Sequence, residues 1–260
     1  MRNRSGRFLI AIVIALISLI GYWTKTQENP VTGEKQRVSL TPEQEVAMGL
    51  QSAPQMAAEF GGLYQDPKVQ QAVKAIGQKI VKNSDAARSP YQYDFHVLAD
   101  SRTVNAFALP GGQIFITAAL LQRLKTEDEV AGVLGHEIGH VVGRHSAEQM
   151  ATQELMSGLA GAATIAMSDP GSPSNSAYIA QYVANMINLK YGREDELESD
   201  DFGVKYLIQA GYKPEALLQV MHVLEEASGG NAPPEYASTH PSPANRMEKI
   251  KAAIEKYSRK

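Results

Sequence analysis

The chain opens on an apolar run, Phe8 to Ile20, that would leave no polar face on a helix; Arg2, Arg4 and Arg7 precede it, and Tyr22, Trp23 and Lys25 close it. Residues 1–25 therefore read as a signal peptide or signal anchor, with the positive end held inside and the rest of the chain delivered to the periplasm or exterior. Ser18 with Ile20, or Leu19 with Gly21, fits the small-residue requirement for cleavage poorly, which favours an uncleaved inner-membrane anchor. Phe8 to Trp23 gives ~24 Å of helix against a hydrocarbon core of ~30 Å, short but workable with snorkelling ends. Residues 26–40 are polar, contain Asn29-Pro30 and Thr32-Gly33, and read as a linker.

Beyond residue 40 the hydrophobic period alternates between helix and strand. Thr41-Pro42-x-Gln44 starts a helix that Pro54 should kink or end, and Asp66-Pro67 starts another with Val69, Val73, Ile76 and Ile80 on one stripe. Tyr91, Tyr93, Phe95 and Val97 alternate with polar residues as a strand, with His96 on its second face. Asn105 to Thr117 reads as two short strands around Pro110-Gly111-Gly112. Thr126-x-x-Glu129 is a capping box for a helix on which Gly132, Gly135, Gly139 and Gly143 share a side. Clustered glycines cost a helix stability and so imply close approach of another backbone. Met156 to Met167 reads as a core helix, and Ser168 to Ser176 as a loop able to lie over a cleft. In the acidic run Arg193 to Asp201, Leu197, Val204 and Ile208 mark the buried stripe. Glu196 and Asp200 share its flank, and Glu194, Glu198 and Lys205 face solvent. Lys213-Pro214 opens a helix to Glu226, and Ser242-Pro243 opens the last one. His145 and His222 read as structural or surface histidines.

Composition narrows the chemistry. With 43% hydrophobic and 20% charged residues over 260, residues 41–260 can form one globular domain. A net charge of -3 lacks the basic footprint of a nucleic-acid binder. The absence of cysteine excludes disulfides, thiolate metal ligands, a cysteine nucleophile and a lipidated cysteine.

The strongest chemical signal is His136-Glu137-Ile138-Gly139-His140. Histidines four apart lie ~40° apart around a helix and one turn apart along it, so both imidazoles can reach one ion. Glu137 projects beside that ion, where a carboxylate serves as general base to water rather than as a ligand. Glu196 supplies a third donor and Asp200, one turn on, can accept the free ring N–H of a ligating histidine. Three protein ligands to one zinc leave a position open for catalysis. Gln113, Ile114, Phe115, Ile116 and Thr117, just upstream of this helix, form a candidate edge for an extended substrate.

These residues resemble the gluzincin branch of zinc peptidases. Asn105-Ala106-Phe107 with Pro110-Gly111-Gly112, then Arg144-His145-Ser146 and Ala210-Gly211-Tyr212, narrow the likeness to the family of HtpX, BepA, mitochondrial Oma and the CAAX prenyl proteases. The match runs from about Thr41 to Arg246. Ser199 stands where that family usually has alanine, and one apolar segment replaces the several of its multi-span members. The resemblance implies a predominantly helical α+β, zincin-like domain with a small sheet beside the active-site helix. It implies a zinc endopeptidase acting on unfolded or extended envelope polypeptides, or a periplasmic assembly factor with a mostly latent site. His240, in a Thr-His-Pro context matching BepA-like members, would then assist the oxyanion or occupy the open zinc position, with Arg246 as a neighbour.

Overall fold

The computed structural model describes residues 4–167, 191–227, 235–240 and 245–259. It is an α+β protein, predominantly helical. Helix α1 (Arg4–Thr24) leads into an antiparallel pair, β1 (Thr26–Glu28) and β2 (Lys35–Arg37), so the expected linker is folded instead. The reason is long-range: the Asn29 amide donates to the Val142 carbonyl at 2.7 Å, and its oxygen accepts from the Val31 and Thr32 amides. The hairpin is thereby clamped to the end of the helix that carries His136 and His140.

Helix α2 (Pro42–Glu59) begins as expected with a Thr41–Gln44 capping box but runs through Pro54. Met56, Ala57 and Phe60 beyond the proline are buried in a cluster with Leu98, Leu109 and Phe115, which holds the helix on course. Helix α3 (Pro67–Lys82) is capped by Asp66. Its Val73 and Ile80 enter the main core, with Val69 and Ile76 packed against it.

Strands β3 (Asp94–Leu98), β4 (Ala106–Leu109) and β5 (Gln113–Thr117) form a sheet in the order β3-β5-β4, with β3 parallel and β4 antiparallel to β5. This overturns the expected substrate edge at Gln113, Ile114, Phe115, Ile116 and Thr117. All five are buried, and β5 is paired on both sides, so its backbone has nothing left to offer a substrate. The outer side of β3 is also occupied: the Gln70 amide donates to the Val97 carbonyl and its oxygen accepts from the Val97 N–H, at 2.8 and 2.9 Å. The remaining edge belongs to β4. His96, on the second face, is half-buried, stacks on Phe115 and donates from Nε2 to the Gln113 side chain at 3.0 Å.

After α4 (Ala118–Leu121), helix α5 (Glu127–Gly143) runs through the centre of the molecule with every residue from Glu129 onward buried. Then follow α6 (His145–Met167), α7 (Arg193–Gln209), α8 (Ala216–Ala227), α9 (Glu235–Thr239) and α10 (Arg246–Ser258). Helix α6 has α1 as its chief partner; Met156, at the start of the expected core stretch, is 61% exposed, while Ala162 is buried. Among the described residues no helix is long and apolar enough to cross a membrane. The expected loop from Ser168 to Ser176 and the expected cap at Ser242-Pro243 lie outside the described residues.

Candidate active site

The site is built where α5 and α7 press together. Helix α5 turns Gly135 and Gly139 to α7, and a Cβ added at Gly139 would stand 2.8 Å from the Ser199 carbonyl oxygen. Opposite Gly135 lies Gly203, where an added Cβ would come within 3.3 Å of the His136 nitrogen. Two bare surfaces therefore meet, and α7 rotates its Glu196, Ser199, Asp200 and Gly203 face inward. Leu197 and Ile208, expected on the buried stripe, are left only half-buried. That close approach lets short acidic side chains reach the histidines.

His136 Nδ1–H donates to Asp200 Oδ1 at 2.9 Å, leaving its Nε2 lone pair free. His140 is held through a residue read as merely structural: its Nδ1 lies 2.9 Å from His145 Nδ1, while His145 Nε2–H donates to Glu198 Oε2 at 3.0 Å. A neutral His145 that gives its one proton to Glu198 accepts at Nδ1, and His140 then carries its own proton on Nδ1. Both His136 Nε2 and His140 Nε2 then present lone pairs to each other across 3.0 Å. Such an arrangement is repulsive until a cation lies against both nitrogens.

Glu196 completes the cluster, with Oε1 3.4 Å from His140 Nε2 and Oε2 3.6 Å from His136 Nε2. Tetrahedral ligands at zinc's usual ~2.1 Å would stand about 3.3 Å apart, so the donor set fits such an ion. His240 joins the group, its Nδ1 2.9 Å from Glu196 Oε1 and 3.4 Å from His136 Nε2. His136, His140, Glu196 and His240, all buried, can offer donor atoms within 4.8 Å of one another.

A profile of known peptidases matches residues 67–254, described as peptidase family M48. The chain belongs to that family. Among curated M48 relatives, a β-barrel assembly-enhancing protease of Yersinia pestis is 31% identical over 226 residues, covering 84% of this chain and 45% of the relative. Its counterpart in Escherichia coli is 28% identical over the same shares. A mitochondrial metalloendopeptidase, OMA1 of Schizosaccharomyces pombe, is 30% identical over 88% of this chain and 66% of its own length. The chain thus spans about half the length of the bacterial relatives it matches.

Within this M48 site the charges are sorted by burial and partner. Burial pushes the Glu137 carboxyl up, against the pull of His240 and His136, and neither of its oxygens has a hydrogen-bond partner. Burial pushes the His140 imidazolium well down, so His140 is neutral, as a ligand must be. Burial opposes ionisation of Glu196 and Asp200, yet His240 beside the first and Arg246 beside the second hold both below the ordinary carboxylate range. Arg246 is the first residue of α10 and fully buried. It donates from Nε to Asp200 Oδ2 at 2.6 Å and lies 3.0 Å from Glu196 Oε2 through Nη1. Its guanidinium thus bridges Glu196 and Asp200 of α7.

His145, Glu198, Tyr191 and Tyr236 escaped the sequence reading. On a continuous helix His145 would face away from the pair, but Arg144 adopts a left-handed conformation at φ 58°, ending α5 and restarting the chain as α6. The left-handed position itself is an arginine, with Gly143 just before it. The break is imposed from outside by Glu45 of α2, which accepts from Arg144 Nε at 2.9 Å, and by the Leu40 carbonyl. Tyr191 stacks on His140 at 3.9 Å and Tyr236 on His240 at 4.3 Å, closing two sides of the cluster. His222 is an exposed residue near Glu225, as expected.

Proposed function

We propose that this M48 protein is a zinc-dependent endopeptidase cleaving unfolded or extended envelope polypeptides, held at the inner membrane of a bacterial cell by α1 and facing the periplasm. The observation that carries the metal reading is the buried pair of imidazole Nε2 atoms 3.0 Å apart beside Glu196, each ring held from behind at Nδ1 by Asp200 or His145. His136, His140 and Glu196 would hold the zinc, one per chain. Bound there, the ion would supply a Lewis acid for the scissile carbonyl and for water.

The chain's own residues do the rest. Glu137 has two oxygens without a hydrogen bond, one of them 3.7 Å from His240 Nε2, and a carboxyl made more basic by burial, so it accepts a proton from water and returns it to the leaving amine. Asp200 fixes the tautomer of His136, and Arg246 neutralises the paired carboxylates. Since the Thr117 N–H bonds the Asn105 carbonyl, alternation along the antiparallel ladder turns the backbone groups of Ala106 and Ala108 outward. Both residues are buried, so that edge of β4, beside α5, would take an extended substrate as a strand only once it is uncovered.

A second reading, an assembly factor whose protease site is mostly latent, is favoured by one observation. His136, Glu137, His140, Glu196 and His240 are all at most 1% exposed, and His240 Nδ1 sits inside the donor cluster where a substrate oxygen would go. In this reading His240 is a latch on the open metal position.

One panel of variants tests both. Glu137→Gln should keep stoichiometric zinc by elemental analysis and lose cleavage of an unfolded polypeptide by about 10²-fold or more, whereas His136→Ala and Glu196→Ala should lose the metal. His240→Ala should cleave faster if it is a latch and slower if it steadies the oxyanion. Full activity in Glu137→Gln would refute the base, and envelope assembly that survives Glu137→Gln would favour the assembly factor.

A further inference from the structure

Helix α6 poses a problem that the metal site does not solve. From Leu155 to Met167 the sequence contains no charged residue, yet where this half of the helix begins Leu155 is only half-buried and Met156 is exposed. We propose that it enters the lipid bilayer beside α1, so that the membrane-embedded part of the protein is a two-helix unit rather than a single short anchor. The proposal rests on the reading of α1 as a membrane segment and extends it to a second element.

The two helices run together with their uncharged parts in step. A Cβ on Gly158 would collide with the Ser18 hydroxyl, which itself turns back to the Ile14 carbonyl, and Ala11 is buried. Small residues at the contact allow the close backbone approach on which helix pairing in lipid depends. Where the uncharged stretch of each helix begins, the charges and aromatics gather at one level. Lys25 pairs with Glu154 at 2.9 Å, the same Glu154 oxygen accepts from Ser39 at 2.7 Å, and the Arg37 guanidinium covers the Trp23 ring at 4.2 Å. On one side of that level lie the sheet and the metal cluster. On the other, α1 from Trp23 back to Phe8 and α6 from Leu155 onward carry no charge. An ion pair with Trp and Arg at the boundary of two uncharged helices is the composition of a membrane–water interface.

The outer surface of this pair needs an apolar occupant. Phe8, Leu9, Ile12, Ile17, Ile20 and Met156 are each more than half exposed. Soluble monomers rarely show so many contiguous large apolar side chains to water. Acyl chains fit better than a polypeptide partner, because the bare surface begins at the charged and aromatic belt and α1 is apolar on every face. The pairing also explains how a run of only ~24 Å in α1 can be held. His145, which fixes His140, begins α6, and Glu154 follows after nine residues, about 14 Å along the helix. The metal cluster would therefore stand close above the membrane surface, placed to meet chain segments emerging from it.

The natural absence of cysteine makes the test direct. Single-cysteine variants Ile17→Cys on α1, Met156→Cys on α6 and the exposed Lys68→Cys on α3 are made in the full chain, labelled with bimane and reconstituted into phosphatidylethanolamine–phosphatidylglycerol vesicles. Quenching is read with nitroxide-labelled lipid and with iodide. The Ile17 and Met156 labels should be quenched strongly by the lipid nitroxide and several-fold less by iodide than the Lys68 label. If Ile17 meets lipid while Met156 meets iodide, α1 is an anchor and the proposal for α6 is wrong. If both meet iodide, the anchor reading itself fails and takes the proposal with it. If both are shielded from both quenchers, protein covers the surface, and the occupant is a second copy rather than lipid.

Discussion

At the scale of single residues, the site is decided by what each imidazole does with its other nitrogen. The cluster of His136, His140 and Glu196 was legible because helical periodicity puts two histidines on one face and separates Glu196 and Asp200 from the rest of an acidic run. His145 and Glu198 were not legible, since their place depends on the left-handed Arg144 that Glu45 enforces from a distant helix. Their importance follows from the chain His140–His145–Glu198, in which each contact fixes the tautomer of the next. Glu198→Ala should therefore weaken zinc binding by about 10–100-fold, as removal of a partner behind a ligating histidine does. Glu198→Gln, whose amide oxygen can still accept from His145 Nε2, should recover most of it. Competition with a chromophoric chelator measures both, and equal affinity in Glu198→Ala and the parent would remove Glu198 from the site.

At the scale of elements, the glycine side of α5 was read correctly as a place of close approach, and the structure supplies the partner, α7. Gly139→Ala tests how much that approach matters. Alanine is favoured over glycine in a helix by ~1 kcal/mol, but the new methyl would stand 2.8 Å from a backbone oxygen and 3.0 Å from the Cα of Ser199. Backbone cannot rotate aside, and overpacking of this kind costs about 1–3 kcal/mol. The variant should melt lower and bind zinc more weakly, because Glu196 and Asp200 move with α7. The strand that was misplaced, β5, shows the opposite case. Its alternation and turn were visible, but its central position depends on a parallel pairing with β3 across the intervening β4, and no local pattern records that choice. A third contact at this scale is sensitive to pH. Lys205 of α7 bonds Asp85 in the turn after α3 and holds its carboxyl below the ordinary range. A depressed folded value means the stabilisation is present above the unfolded value, ~3.9, and is lost as pH falls through the folded one. Asp85→Asn should be less stable than the parent at pH 7 by under about 1 kcal/mol, since the pair is partly exposed. The gap should close in urea melts at progressively lower pH.

At the scale of the whole molecule, the candidate ligands come from separate parts of the chain: two from α5, one from α7 and His240 from the segment before α10. Without a cation the structure must bury facing lone pairs together with the ionised Glu196 and Asp200, balanced by Arg246 and His240. An ion bound only by the folded state stabilises it by RT ln(1 + [L]/Kd), about 4 kcal/mol at a thousandfold excess over Kd. Chelation should therefore lower the melting temperature by several degrees, and added zinc should restore it. The shift should vanish in His136→Ala, which cannot form the site, and persist in Glu137→Gln, which lacks only the base. This pattern separates the two uses of the cluster, because stability follows the ligands while cleavage also requires Glu137. If chelation left both the parent and Glu137→Gln unmoved, the buried donors would be paired by protons instead, and the metal reading of His136, His140 and Glu196 would fall.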